Sequence, residues 1–562
     1  MATDPIMTAA AAPSARPRSA LRLTPTAAGR CRRRVHLDHA PDAARTARSE
    51  PDDGLKMRLA DMDVHAVQVL EVLPAFSGGW TPDDPTRPAI VRSPVLRTAT
   101  RFGTPDLLIW DGDGYLPVLI RGHRTLDPGS GARVSPVGDP LRTVVDPGRR
   151  ARRHPGDELQ LAHHRAMLRE LGLASSSSRG GVIARGSPFQ GGELAAELAA
   201  AGVQGVDDGA VVLWHDLDTV ELDYQQRFDD RYAVATAARA GGELARPSKV
   251  AECRRCPWWP VCEPELEAAH DVSLLAAGAD VEALHAVGLR TLDDLIAAPA
   301  EVLADLKLTA VRVDELRVKA RARLQGRPLV RRQRSGEARR ADVELDVDME
   351  SYLDQGAYLW GALLQGRDIG IEHGYRGFVQ WDELPDGGAA AFAEFWAFLT
   401  LVRAACAERG LSFAAYCWSR TAEERWMYAV PALFGDHSGV PSTDEVRAFC
   451  TSVQWIDLFA EVKRVFVVPG SMRLKAIAPV AGFRWRDEAP GGENSMAWFR
   501  GALGLDEANG EVDEALRSSL QQRILAYNED DVLATAAIRR WMSGPGLELP
   551  TVSDLLDQAP PQ

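Results

Sequence analysis

The 562-residue chain is 45% hydrophobic and 26% charged, the composition of a folded protein with three or four domains and not of a disordered or fibrous one. Its net charge of −14 excludes a uniformly basic nucleic-acid coat but leaves room for local basic surfaces. No uninterrupted apolar run approaches the roughly 18–20 residues of a bilayer span, and no apolar signal-peptide core follows the first methionine. The expectation is a cytoplasmic protein with no membrane partner, whose seven cysteines serve as metal ligands or thiols rather than a disulfide framework.

Residues 1–20, rich in Ala, Pro, Thr and Arg, read as a disordered tail. Thr24 ahead of Pro25 can cap a short helix that delivers Cys31 among Arg30, Arg32, Arg33 and Arg34. Far downstream, Cys253, Cys256 and Cys262 form a C-x2-C-x5-C run bent by Pro257 and Pro260. Closely spaced thiolates in such a loop can converge on one metal. Cys406, Cys417 and Cys450 lie in apolar segments and read as buried thiols. Cys31 is left as the fourth ligand, and structural zinc is an alternative for four cysteines.

One early cysteine with a distal C-x2-C-x5-C resembles the iron–sulfur RecB-like nucleases, in which four thiolates hold a [4Fe–4S] cluster that staples a PD-(D/E)xK nuclease domain. The resemblance implies that role for Cys31, Cys253, Cys256 and Cys262, and that domain for residues 21–268. The family's Gly-x-x-Asp is matched by Gly103-Thr104-Pro105-Asp106, with Asp106 at the metal-ligand position. On the next strand, residues 115–124, the family's carboxylate and lysine fall on Leu119 and Arg121. Residues 1–250 hold only two lysines, Lys56 and Lys249, neither on a suitable strand. Arginine keeps its proton too tightly to serve as a base. Gln160 keeps its place in the Gln-x3-Tyr element while His164 replaces the tyrosine; His65 reads as a partly buried surface histidine, with the family's early metal-binding histidine as the alternative. This domain is expected to keep fold and clamp, to have lost its own hydrolytic site, and still to bind nucleic acid.

Residues 269–325 read as helix, Gly288 turn and a second helix capped by Thr291, similar to helix-hairpin-helix modules that grip phosphates. Basic residues crowd positions 312–340, and 326–341 read as a basic linker.

Residues 342–545 carry the best catalytic constellation. The segment from Val343 to Glu350 alternates apolar and acidic residues as a strand does, so Asp346, Asp348 and Glu350 share one face. Like charges crowded there are unfavourable unless a cation neutralises them, the alternative being a solvated strand face. A second apolar strand is expected over 358–364, and an amphipathic helix over 524–535, on which Tyr527 and Asp531 share a face. An opening Asp-x-Glu and a closing Tyr-x3-Asp, with Arg473-Leu474-Lys475-Ala476-Ile477 and Gly482-Phe483 between them, resemble the DEDDy-type exonuclease domain of RNase H-like fold appended to RecB-like nucleases. The resemblance implies that Asp348, Glu350 and Asp531 hold Mg²⁺ or Mn²⁺ and that Tyr527 orients the attacking water. The middle acid is assigned to Glu423, with Asp457 as a contender; residues 546–562 read as a tail.

The fold expected is therefore α/β and multidomain: a restriction-endonuclease-like unit with an Fe–S clamp, a small helical module and an RNase H-like domain. The function expected is phosphodiester hydrolysis of DNA or RNA from a 3′ end; the competing reading is an inactive Fe–S nucleic-acid-binding scaffold. No Gly-x4-Gly-Lys-[Ser/Thr] sequence is present, so a helicase or repair partner would act in trans.

Overall fold

The computed structural model describes residues 20–41, 48–49, 53–73, 80–184, 211–334, 338–353, 355–488, 491–505 and 513–558. The tail expected over residues 1–20 lies outside them except for Ala20. The described residues form two compact units, the first drawn from residues up to 246 apart from 48–63, the second from 48–63 and everything after 246.

The first unit is built on a seven-stranded mixed sheet. Leu107–Trp110 and Tyr115–Arg121 form an antiparallel hairpin, and Arg179–Ala184 lies parallel to the second of these strands. Helix Pro155–Glu170, with Pro155 in its first turn and Asp157 and Glu158 near its N-terminus, crosses those two strands. At the N-terminal side, a 3-10 turn Ala27–Gly29 flanked by Thr26 precedes helix Arg32–His39, whose N-cap position is Cys31. The turn thus starts after Thr26 and not at the expected Thr24, and Thr26 makes no side-chain capping bond to it among the described residues.

In the second unit, helices Ala279–Ala286 and Leu292–Ala297 flank Gly288, which takes a φ of +83°. Thr291 caps the second helix, accepting from the Asp294 amide at 3.0 Å while the Asp294 carboxylate accepts from the Thr291 amide at 2.9 Å. Within the basic segment 326–341, Val330–Arg331 pairs with Phe466–Val467, and Arg331 donates to the Leu547 carbonyl at 2.6 Å. Helix Val552–Leu556 packs on Ala310–Leu324.

The C-terminal domain has a five-stranded sheet. Its strands are β1 (Val343–Tyr352), β2 (Gly356–Gly366), β3 (Gly374–Val379), β4 (Phe413–Cys417) and β5 (Trp455–Asp457), in spatial order β3-β2-β1-β4-β5. The first three are antiparallel, and β4 and β5 run parallel to β1. Its principal helices are α1 (Ala389–Glu408), α2 (Arg420–Phe434), α3 (Gly492–Ala502) and α4 (Glu514–Met542). Helix α1 is long and apolar enough to cross a membrane by length and composition, yet Phe392, Phe395, Trp396 and Leu399 pack into the core formed with Val343, Leu345, Val347 and Met349 of β1. Each such buried side chain contributes about 1.5–3 kcal/mol. The helix starts at Gly388, where φ is +84° and a Cβ would lie 2.0 Å from the Ala357 carbonyl oxygen.

Strand alternation sends the even residues of β1, Glu344, Asp346, Asp348 and Glu350, to the opposite face, where α4 crosses. Arg539 of α4 grips Asp346 through both terminal nitrogens, with Nη2 at 3.0 Å from Asp346 Oδ2 and 3.0 Å from Glu344 Oε2. Its guanidinium lies 4.1 Å from the centre of the Tyr416 ring. Arg340 donates to both oxygens of Glu344 at 2.7 and 2.9 Å. Burial disfavours its charge, but Asp346 and Glu344 hold the Arg539 guanidinium above its ordinary value. Asp346 and Arg539 are both fully buried. Arg539→Ala is therefore expected to destabilise the domain by about 3–5 kcal/mol in denaturant unfolding, because it strands a buried carboxylate. Combining Arg539→Met with Asp346→Leu should recover most of that loss; a near-neutral Arg539→Ala would contradict the pairing.

Candidate metal centre of the C-terminal domain

Beyond Asp346 the same strand face carries Asp348 and Glu350, and there α4 supplies an acid instead of an arginine. Asp531 lies eight residues, about two turns, before Arg539 on α4. The carboxylates of Asp348, Glu350 and Asp531 offer oxygens that all lie within 4.8 Å of one another. The expected trio is thus brought together from a strand and a helix some 180 residues apart.

Each carboxylate is held by a neutral donor. Asn528 Nδ2 donates to Asp348 Oδ2 at 2.8 Å, Ser495 Oγ to Glu350 Oε2 at 2.5 Å, and Trp485 Nε1 to Asp531 Oδ1 at 2.7 Å. Asn528 is itself oriented by the Tyr375 hydroxyl, which donates to its Oδ1 at 2.8 Å. Gly361 faces Asp348 across the β1–β2 pair, and a Cβ there would fall 1.7 Å from Asn528 Oδ1. Trp485 is anchored by its neighbour: Arg486 donates from its backbone amide and from Nε to Asp530, both at 2.8 Å. Such outer partners fix a ligand's direction without cancelling its charge.

The electrostatics follow. Burial, then repulsion by Asp531, Glu350 and Glu423, pushes the Asp348 carboxyl well above its ordinary range. Burial, with repulsion from Asp531, raises Glu350 to about 8 against the Ser495 hydrogen bond and the Lys475 charge. Burial also raises Asp531, opposed by Lys475, Trp485 and Tyr527. The Lys475 ammonium contacts the Tyr527 hydroxyl, on the helix face that carries Asp531. Three close carboxylates, offset only in part by Lys475, form an all-oxygen donor set suited to Mg²⁺ or Mn²⁺.

Glu423 stands outside this trio. It lies in the first turn of α2, just after β4, and is 4% exposed, with no hydrogen-bond partner for Oε2 among the described residues. Burial, then repulsion by Asp457, Glu424 and Glu350, lifts it to about 8. Asp457 instead caps helix Leu458–Val465, accepting from the Ala460 amide at 2.8 Å.

Sequence reasoning did not assign roles to Ser495, Asn528, Trp485 or Lys475. Only Lys475 left a signal, as part of the segment noted between the acidic motifs.

In the first unit, Asp106 accepts from the Ile120 amide at 2.7 Å and from Arg121 Nη1 at 3.2 Å. Arg121 also reaches Asp157 Oδ1 at 3.1 Å and Gln160 Oε1 at 3.2 Å, so the lysine position is filled by a cation tied to three side chains. Leu119 and His164 are buried, and burial with repulsion from His163 and Arg121 keeps His164 neutral. His65 is buried on helix Asp53–Val72. Cys253 lies in the 3-10 turn Ala251–Arg255, Cys256 follows directly, and Cys262 sits in helix Trp259–Ala268, all in the second unit; Cys31 belongs to the first.

The raised carboxyls set a pH dependence. Glu350 titrates at about 8 in the folded, metal-free domain against the usual 4.5, so the folded state binds the extra proton between those values. Stability is then lost as pH rises through that window. In chelator, the melting temperature is expected to fall between about pH 6 and about pH 8.5, and added Mg²⁺ to restore more at the higher pH. Glu350→Gln should flatten both trends. A Mg²⁺ effect independent of pH would contradict the assignment.

A model of the RNase H superfamily matches residues 428–543, a span that includes Lys475, Ser495, Tyr527 and Asp531 but begins after β1. No curated protein and no solved structure matches the chain. The C-terminal part of the chain therefore carries an RNase H-like domain, of a superfamily of divalent-metal-dependent nucleases.

Proposed function

We propose that the C-terminal domain hydrolyses phosphodiesters of DNA or RNA from a 3′ end, with Asp348, Glu350 and Asp531 holding Mg²⁺ or Mn²⁺. The observation that carries this reading is the convergence of three carboxylates within 4.8 Å, each oriented by a neutral donor. When bound, the cation supplies Lewis-acid polarisation and activates water near neutral pH. Tyr527, fixed between Lys475 and Asp531, positions the attacking water at the edge of the trio. Lys475 offsets part of the negative charge on Asp348, Glu350 and Asp531 and so limits repulsion of a phosphate. Glu423, protonated near neutral pH in the metal-free site, completes the acidic set from α2. The 3′ polarity rests on the Tyr-x3-Asp spacing and its likeness to DEDDy exonucleases.

The first unit, in this reading, is a RecB-like nucleic-acid-binding body without hydrolysis of its own, because Arg121 is locked onto Asp106 where a lysine would serve. Cys31, Cys253, Cys256 and Cys262 would hold a [4Fe–4S] cluster, and any helicase or repair partner would be supplied in trans in the cytoplasm.

With Mn²⁺ and end-labelled single- and double-stranded substrates, wild type is expected to shorten the strand from its 3′ end. Glu350→Ala and Asp531→Ala should abolish this, and Ser495→Ala should cost roughly 10- to 100-fold. Equal degradation by wild type and both acid variants would sink the catalytic assignment, and binding without cleavage under every metal condition would favour the scaffold reading. Separately, anaerobically purified protein is expected to be brown and to lose its colour in Cys256→Ser; a colourless, zinc-bearing protein would overturn the cluster.

A further inference from the structure

A second set of ligand-type side chains lies in the first unit, away from every motif used above. His123 follows strand Tyr115–Arg121 by two residues, His154 occupies the N-cap position of helix Pro155–Glu170, and Asp157 lies in that helix's first turn. One ligand atom from each falls within 4.8 Å of the others. The two imidazole rings have centroids 3.9 Å apart and are tilted by 34°. Asp157 is 7% exposed and His123 37% exposed in their side chains, so the group opens to solvent on the His123 side.

The hydrogen bonds fix which atoms are available. His154 Nε2 lies 2.9 Å from the Arg124 carbonyl oxygen. A carbonyl can only accept, so in the neutral ring Nε2 carries the proton and Nδ1 the lone pair. Metal-ligating histidines are commonly set this way, by donating the other ring N–H to a carbonyl. His123 Nε2 meets Asp157 Oδ2 at 2.8 Å, and a cation could take the place of the proton they share. Asp157 Oδ1 is oriented by Arg121 Nε at 3.1 Å. That guanidinium is divided between Asp157 and Asp106, so one cationic group serves two carboxylates. His215, 3.6 Å from Glu158, stands near Asp157 and His154.

We propose that His123, His154 and Asp157 form a site for a first-row transition-metal ion of the Zn²⁺ class. Two imidazoles and one carboxylate suit Zn²⁺, whereas the all-oxygen trio of the C-terminal domain suits Mg²⁺ or Mn²⁺. Three protein ligands with solvent access leave a coordination position for water or an anionic oxygen. The ion would join the strand exit to the helix start beside Arg121, where the lysine-bearing site of a RecB-like nuclease would lie.

Full-length protein is stripped of metal, equilibrated with Zn²⁺ under a large excess of Mg²⁺, dialysed and assayed for zinc. Wild type is expected to retain one molar equivalent more than His123→Ala, His154→Gln or Asp157→Asn, each with an unchanged circular dichroism spectrum. Asp348→Asn with Asp531→Asn should retain the wild-type amount. Equal zinc in wild type and the folded variants would overturn the site. A measurement on wild type alone covers the case in which the variants misfold. Zinc should protect His123 and His154 from diethylpyrocarbonate while His270, half exposed at its side chain, continues to react. Unchanged modification of His123 on adding zinc would overturn the proposal as well.

Discussion

Four acids on one buried face of one strand set an electrostatic problem, and the C-terminal domain is arranged around how helix α4 answers it. At Glu344 and Asp346 the answer is Arg539, fully buried and reinforced by Arg340 and the Tyr416 ring. Such a pair gives little net stability against an apolar core, but with one partner missing the other becomes a stranded charge. It therefore pins the register of α4 on β1. Two turns earlier on the helix the cation is replaced by Asp531, and the field reverses. Two carboxylates at the 4.8 Å limit repel by about 3 kcal/mol at an effective dielectric near 20. The ion pair in one half of the interface holds the repulsion in the other half in place.

That division of labour explains why the partners of the trio are an amide, a hydroxyl and an indole. Arginines in those positions would have relaxed the repulsion and removed the attraction for a divalent cation. Asn528, Ser495 and Trp485 aim the carboxylates while leaving the charge, and so the affinity, for the cation. Lys475 is the exception, and it reaches the group through Tyr527 rather than through a carboxylate.

The acidic face of β1 was legible because a strand's period of two is written directly in residues 343–350, and the meeting of Tyr527 with Asp531 because helical neighbours sit four apart. Both belong to local geometry. Strand period alone does not separate Asp346 from Asp348; the resemblance set Asp348 apart, but the physical reason, which α4 residue lies opposite, is a contact across 193 positions. The close approach of Asn528 to Gly361 is hidden for the same reason, and so is the grouping of His123 with His154 and Asp157, 31 and 34 residues apart. Residues 326–341 read as a linker from their charge, yet Val330–Arg331 pairs as a strand with Phe466–Val467, and the buried Arg331 is satisfied by the distant Leu547 carbonyl, a partner that charge counting does not show. The turn ahead of Cys31 starts after Thr26 without a side-chain cap among the described residues, so a threonine beside a proline does not by itself mark where it begins.

The 193-residue separation between Asp346 and Arg539 has a meaning in time as well as in space. At about 5–20 residues per second, a ribosome takes roughly 10 to 40 s to reach the arginine after finishing the strand. Throughout that interval the nascent domain carries its acidic strand without the helix that both neutralises and completes it. A chain terminated before Asp531 has two of the three acids and no means of assembling the third, so premature products of translation carry the strand but not the centre.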